Sequence, residues 1–311
     1  MLRKLFLSAV CLMLIPVKGC ILEPSEKLLF EKNSLYQYIS VVEDTVKKER
    51  YIRNNRRELR QGGIYLDRPD KLLFEYSQMA FISLAFLDRD PKEVLFVGLG
   101  AGSMPRYFHK HYPNADTDIV EIDEDIVSVA AKYFYFIPNG KMKVFVDDGR
   151  LFIKRTQKKY DIIFLDAYQN DYIPFHLTTL EFLKEVKSKL NGDGVVVSNI
   201  LSEYRNKFFD SMVATYRKAF PHVYIFKGQK SRNFIFVATI SSKMKYQENV
   251  IADALKIQRY MKMDIDFADI GKSYDYSTVY DRKSAKILTD DFAPVNLYKY
   301  QTSEGRQGVR Q

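Results

Sequence analysis

The chain has 311 residues, 46% hydrophobic and 14% aromatic, which excludes a disordered protein and supplies a sizeable core. Its formal charge of +9 resembles a nucleic-acid signal, but Arg3, Lys4 and Lys18 lie in an N-terminal leader, and without them the chain is only mildly basic, at about +6. No nucleic acid is therefore expected as a partner. Of the two cysteines, Cys11 would leave with the leader, so a processed chain has neither an intrachain disulfide nor a cysteine metal site.

The leader combines basic Arg3 and Lys4, an apolar stretch from Leu5 to Ile15, and Val17-Lys18-Gly19-Cys20. It resembles a bacterial secretion signal ending in a lipobox. The apolar stretch is too short for a spanning helix, which needs about 20 residues. The expected location is the periplasmic side of a bacterial membrane, with Cys20 as attachment point. Translation from an internal start would instead leave the protein in the cytoplasm.

Residues 21–70 read as a small antiparallel β unit. Tyr36-Gln37-Tyr38-Ile39-Ser40-Val41-Val42 alternates, and Gly62-Gly63 marks a turn before Ile64-Tyr65-Leu66. Positive charge concentrates here, in Lys47, Lys48, Arg50, Arg53, Arg56, Arg57 and Arg60. A solvated hairpin face accounts for that run; an anionic partner is the alternative.

Residues 71–240 read as the main domain. A buried helix from Leu72 to Leu87 ends at Asp88-Arg89-Asp90-Pro91, and Val94 to Val97 is a buried parallel strand. The glycine turn Gly98-Leu99-Gly100-Ala101-Gly102 follows, then a helix over Ser103 to Tyr112 with Pro105 in its first turn. Strand Asp118 to Ile122, helix Glu124 to Phe134, and strands Lys143 to Val146 and Asp161 to Leu165 come next. Thr178-x-x-Glu181 reads as a capping box opening a helix through Leu190, and Asn191-Gly192-Asp193-Gly194 turns into strand Val195 to Ile200. His222 to Lys227 and Phe234 to Ile240 read as a terminal hairpin. Alternating strands and helices imply a parallel sheet covered on both faces, and the hairpin brings it to seven strands. This α/β arrangement resembles the class I S-adenosylmethionine-dependent methyltransferase fold. The extension, residues 241–311, reads as mixed helix and loop.

In such a sheet ligands bind beyond the carboxyl ends of the strands, so the acids there carry the chemistry. The glycine spacing departs from the dinucleotide fingerprint, whose third glycine would fall at Ser103, and suits a ligand without phosphates such as S-adenosylmethionine or a relative. Gly98, Gly100 and Gly102 let the backbone pass close to it. Glu121 is placed to grip the ribose hydroxyls, with Asp123 the better N-cap. Asp148 can accept the adenine amino group, and Gly149 leaves room for the ring. Asp166 lies over the expected sulfonium carbon, where a carboxylate can take a proton from an attacking amine. Residues 167–176 read as a substrate-covering loop containing Tyr168, Asp171 and His176. His176, just before the capping box, reads better as structural. Asp290 and Asp291 can fold back onto a diamine's distal ammonium, cap a helix, or meet the basic hairpin.

These motifs, with Gln61 and Tyr76-Ser77-Gln78, resemble spermidine synthase, the polyamine aminopropyltransferases, over roughly Leu35 to Ile240. The resemblance implies an N-terminal β domain before a methyltransferase-like sheet, and transfer of an aminopropyl group from decarboxylated S-adenosylmethionine to putrescine with release of methylthioadenosine. It implies Glu121 at the ribose, Asp148 at the adenine, Asp166 as catalytic acid–base residue aided by Tyr76, and Gln61 and Tyr76 lining the substrate site. A polyamine partner, a homo-oligomer and no metal complete the expectation.

Two positions depart from the family. Ala101 stands where the family carries an aspartate facing the aminopropyl ammonium, and Asp166-Ala167-Tyr168-Gln169-Asn170-Asp171 replaces D-S-S/T-D-P. With Ile173 to Thr179 and Leu288 to Val295, they look more like the divergent spermidine synthase-like branch often fused to membrane segments. Methyl transfer from intact S-adenosylmethionine therefore stays open. So does a non-catalytic exported protein that binds a nucleoside or polyamine.

Overall fold

A computed structural model describes residues 22–54, 60–168, 173–201, 206–231, 233–274 and 285–292. The leader with Cys20, and Arg56, Arg57 and Asp171, lie outside the described residues. The chain begins with an antiparallel meander of β1 (Glu26–Asn33), β2 (Tyr38–Asp44), β3 (Glu49–Asn54) and β4 (Arg60–Tyr65), in that spatial order. β1 falls within the expected β unit of residues 21–70, but the strands read from the sequence start only at Tyr36. That edge strand has no fully buried residue, and its short apolar run Leu28-Leu29-Phe30 sits between charged ends, so no apolar alternation marks it. Arg50 pairs with Glu43, Arg53 with Glu26 at 2.6 Å and Arg60 with Glu49 at 2.7 Å, which makes these members of the basic run partners of their own sheet.

The middle one of the five parallel strands in the second sheet is β5 (Glu93–Val97). Around it stand β6 (Asp116–Glu121), β7 (Met142–Val146), β8 (Tyr160–Leu165), β9 (Leu190–Leu201), β10 (His222–Lys227) and β11 (Asn233–Thr239). The order is β10-β11-β9-β8-β5-β6-β7, with β9, β8, β5, β6 and β7 parallel and the β10–β11 hairpin antiparallel. This is the seven-stranded α/β sheet the sequence implies.

Both faces of β5 are buried. Val94 and Phe96 point into one core, Leu95 and Val97 into the other, which is why the strand reads as an unbroken apolar run. Phe96 stacks on Phe164 of β8 with ring centroids 4.5 Å apart, a pairing worth about 0.5–1.5 kcal/mol beyond its burial. Ile39, Val41, Ile52 and Ile64 of the meander join the first core, so the small sheet is packed against the large one.

The expected helix over Leu72 to Leu87 is α1 (Glu75–Ala80) tightened into a 3₁₀ segment over Phe81–Phe86. Next come α2 (Ser103–His111), α3 (Glu124–Tyr133), α4 (Gly149–Arg155) and α5 (Leu180–Ser188). The expected capping box does not form: the N-cap is Thr179, one residue later, and Glu181 accepts the amide of Asp290 instead. Thr179 Oγ1 accepts the amide of Phe182, while Thr178 turns back to the carbonyl of Phe175. Strand β9 runs through the expected Asn191–Gly194 turn, absorbed as a register shift against β8. The chain adds α6 (Phe209–Ala219), then α7 (Gln247–Met261), which packs on the 3₁₀ segment and sends Val250 and Ala254 into the first core, and α8 (Phe267–Lys272). Among the described residues no helix is long and apolar enough to cross a membrane.

Candidate active site

Strand order reverses between β5 and β8, and the loops leaving those strands part to open a cavity of about 500 Å³. The meander closes one side through Gln37, Gln61 and Gly62. The β10–β11 turn closes another through Ser231, which is positioned by Glu75: its carboxylate accepts the amides of Gln229, Lys230 and Ser231 at 3.0, 2.8 and 2.5 Å.

Main-chain amides organise the end of the cavity below β5 and β6. Glu121 Oε2 accepts the amide of Leu99 at 2.9 Å, and Oε1 that of Asp123 at 3.0 Å, so one carboxylate ties the glycine turn to the start of α3. Burial raises its pKa and these amides oppose the rise. Asp123 caps α3 by accepting the amide of Asp125. Gly98 has φ of +101°, and a Cβ there would lie 2.4 Å from the carbonyl oxygen of Asp166, so glycine lets the two loops touch. Gly98, Gly100 and Gly149 line the cavity. Asp148 lines it too, with Oδ1 accepting the amide of Leu151 as the cap of α4 and Oδ2 3.0 Å from His176 Nε2.

Side chains organise the other end. Asp166 Oδ1 accepts from Asn199 Nδ2 at 2.9 Å, and its second oxygen has no partner among the described residues. Burial pushes the Asp166 carboxyl up to about 7, with the Asn199 hydrogen bond pulling the other way. Tyr168 donates to the carbonyl of Asn199 at 2.6 Å and Tyr76 to that of Gln61 at 2.7 Å. Burial, then the nearby Asp166 charge, raises both phenols well above the usual tyrosine range. Tyr76 therefore stays protonated and cannot itself remove a proton; it can only present an oxygen lone pair. Asp166, Tyr76, Gln61 and Tyr168 share one cavity with Glu121 and Asp148.

A model of the spermine/spermidine synthase domain matches residues 73–245. A polyamine aminopropyltransferase of Vibrio vulnificus is 35% identical over 290 residues, 88% of this chain and 91% of that protein. The chain belongs to the spermine/spermidine synthase family. The family's fold recurs in a crystal structure of a probable spermidine synthase from Corynebacterium glutamicum, with TM-score 0.61, 23% identity, and coverage of 75% of this chain and 93% of that one. Human methyltransferase-like protein 13, solved in complex with SAH, matches with TM-score 0.57 and 27% identity over 61% of this chain and 93% of that one.

Within this spermidine synthase fold, several expected site residues lie elsewhere. Gly102 is not on the cavity wall: it starts α2 with φ of +69°, and a Cβ there would meet the Phe136 ring at 2.6 Å. Asp290 does not reach the cavity either, because the Arg150 guanidinium holds both its oxygens at 2.7 and 2.8 Å and Thr179 donates to it at 2.7 Å. Asp291 is exposed and likewise off the wall. Sequence reading missed Asn199 and Asn233, both buried and both on the wall. Their available signal was polarity at the ends of apolar strands.

Proposed function

We propose that this family member transfers an aminopropyl group from decarboxylated S-adenosylmethionine to a diamine such as putrescine. One observation carries the reading: the Asp166 carboxyl at the switch point shares a cavity with the Glu121 carboxyl and the glycine turn. The Asp166 carboxylate takes a proton from the diamine's ammonium and frees the nitrogen lone pair. That nitrogen attacks the methylene beside the sulfonium. The carbon–sulfur bond breaks, its electron pair passes to sulfur, and neutral methylthioadenosine leaves. Holding both reactants in line supplies much of the acceleration. Glu121 holds the ribose, Asp148 faces the adenine, and Tyr76, Gln61 and Tyr168 line the amine's path.

A second reading, methyl transfer, is favoured by Ala101. It is 2% exposed, and a Cβ on Gly62 would lie 3.2 Å from its own Cβ, so the meander packs onto the position where an ammonium partner is absent. Competition between the two adenosyl donors, with putrescine as acceptor, decides. Spermidine with methylthioadenosine supports aminopropyl transfer; release of S-adenosylhomocysteine replaces it with methylation; binding without product leaves a non-catalytic protein. The leader is proposed to direct export and Cys20 to carry lipid, which the mass of the mature N-terminal peptide tests.

A further inference from the structure

Three strands place polar side chains in a row across the carboxyl end of the sheet. Asp166 follows β8, Asn199 lies near the end of β9, and Asn233 opens β11. Asn199 pairs with Ile235 in the antiparallel ladder, so Asn233, two residues back, stands diagonally beside it on the same face. The bonds run one way. Asn233 Nδ2 donates to Asn199 Oδ1 at 2.7 Å, and Asn199 Nδ2 donates to Asp166 Oδ1 at 2.9 Å. When Asp166 is ionised its carboxylate only accepts, so the Asn199 amide then turns its NH₂ to Asp166 and its oxygen to Asn233. Tyr168 adds a third tie by donating to the Asn199 carbonyl at 2.6 Å.

We propose that Asn199, oriented by Asn233, is a positioning residue that fixes the Asp166 carboxylate, occupying Oδ1 and leaving Oδ2 to receive the proton. The proposal rests on the reading of Asp166 as the base. A half-buried carboxylate that has, among the described residues, one neutral donor is poised between its protonation states, and that donor stabilises the charged form. Asn199 thus sets both the direction of the base and the pH at which it works. Ser198, its neighbour, serves a different contact, with the Tyr216 hydroxyl at 2.6 Å, and lies off the cavity wall.

The test separates this claim from the activity. The Asp166 carboxyl is titrated by ¹³C NMR in ligand-free protein and assigned from the signal lost in Asp166→Asn. Asn199→Leu should raise its proton affinity about ten- to a hundredfold, the worth of one hydrogen bond to a charged group. Asn233→Leu should move it the same way by less, and Ser198→Ala should not move it. Asn199→Ala, which likewise leaves no side-chain donor, is expected to reproduce the rise if the leucine variant does not fold. The acidic limb of kcat/KM should follow the NMR midpoint, with kcat falling more than KM changes. An unmoved Asp166 midpoint in a folded Asn199 variant overturns the proposal even if wild-type protein makes spermidine. Absence of any transfer by wild-type protein, with the NMR shift present, refutes the reading of the base instead.

Discussion

Strands β6 and β8 flank the same strand, β5, yet the acids at their carboxyl ends are held by different means. Glu121 is clasped by the amides of Leu99 and Asp123, groups that the backbone fixes and no side-chain motion can withdraw. Asp166 rests, among the described residues, on one side-chain amide, and burial pushes its carboxyl up to about 7. The first arrangement suits an acid that stays in place to grip a ligand. The second suits one that changes protonation during a reaction.

The strongest way to break this contrast is to remove each acid's charge in turn. Asp166→Asn should lower turnover by about 10²–10⁴-fold, the usual contribution of general-base catalysis, while donor affinity by calorimetry stays near wild type. Glu121→Gln should do the reverse, weakening donor binding by about ten- to a hundredfold with a smaller effect on kcat. If both variants lost affinity and turnover alike, the division would fall.

Backbone geometry gives a smaller effect. Gly98→Ala sets a Cβ against the Asp166 carbonyl and strains a φ of +101°, so it should cost about 1–3 kcal/mol in chemical denaturation and reduce turnover with it. The pH dependence of stability sharpens the comparison further. Because the folded Asp166 pKa, about 7, lies above its unfolded value, the native state binds more protons between them. Its contribution to stability is therefore present below the unfolded pKa and is lost as pH rises towards 7. Thermal melts above pH 7 should show Asp166→Asn as more stable than wild type, although it is less active. The smallest effect belongs to Asp290→Asn. It removes a partner of Arg150 on a half-exposed carboxylate, so it should cost under about 1 kcal/mol and leave the diamine KM unchanged.

Much of this was legible in the residues. Unbroken apolar runs mark β5 and β8, whose burial on both faces leaves no room for polar alternation, and the terminal hairpin follows from two strand-like runs around a polar turn. Glu121, Asp148 and Asp166 were visible because each acid ends a strand or follows one within two residues. The row Asp166–Asn199–Asn233 was hidden, since it depends on which strands lie side by side, and Asn199 and Asn233 stand 34 positions apart in the sequence. Asp290 misled for the same reason: nothing local to it reveals that Arg150, on α4, claims its carboxylate. Gly102 belongs to the motif, but its need for glycine comes from Phe136 behind it and not from a ligand in front.

The most direct test is the pH profile of kcat/KM for spermidine formation from decarboxylated S-adenosylmethionine and putrescine, measured in wild type and Asp166→Asn. Asp166 as the base predicts a wild-type rate that climbs through a midpoint near 7, and a residual Asp166→Asn rate from which that limb is gone. The same limb at undiminished turnover in Asp166→Asn would contradict it.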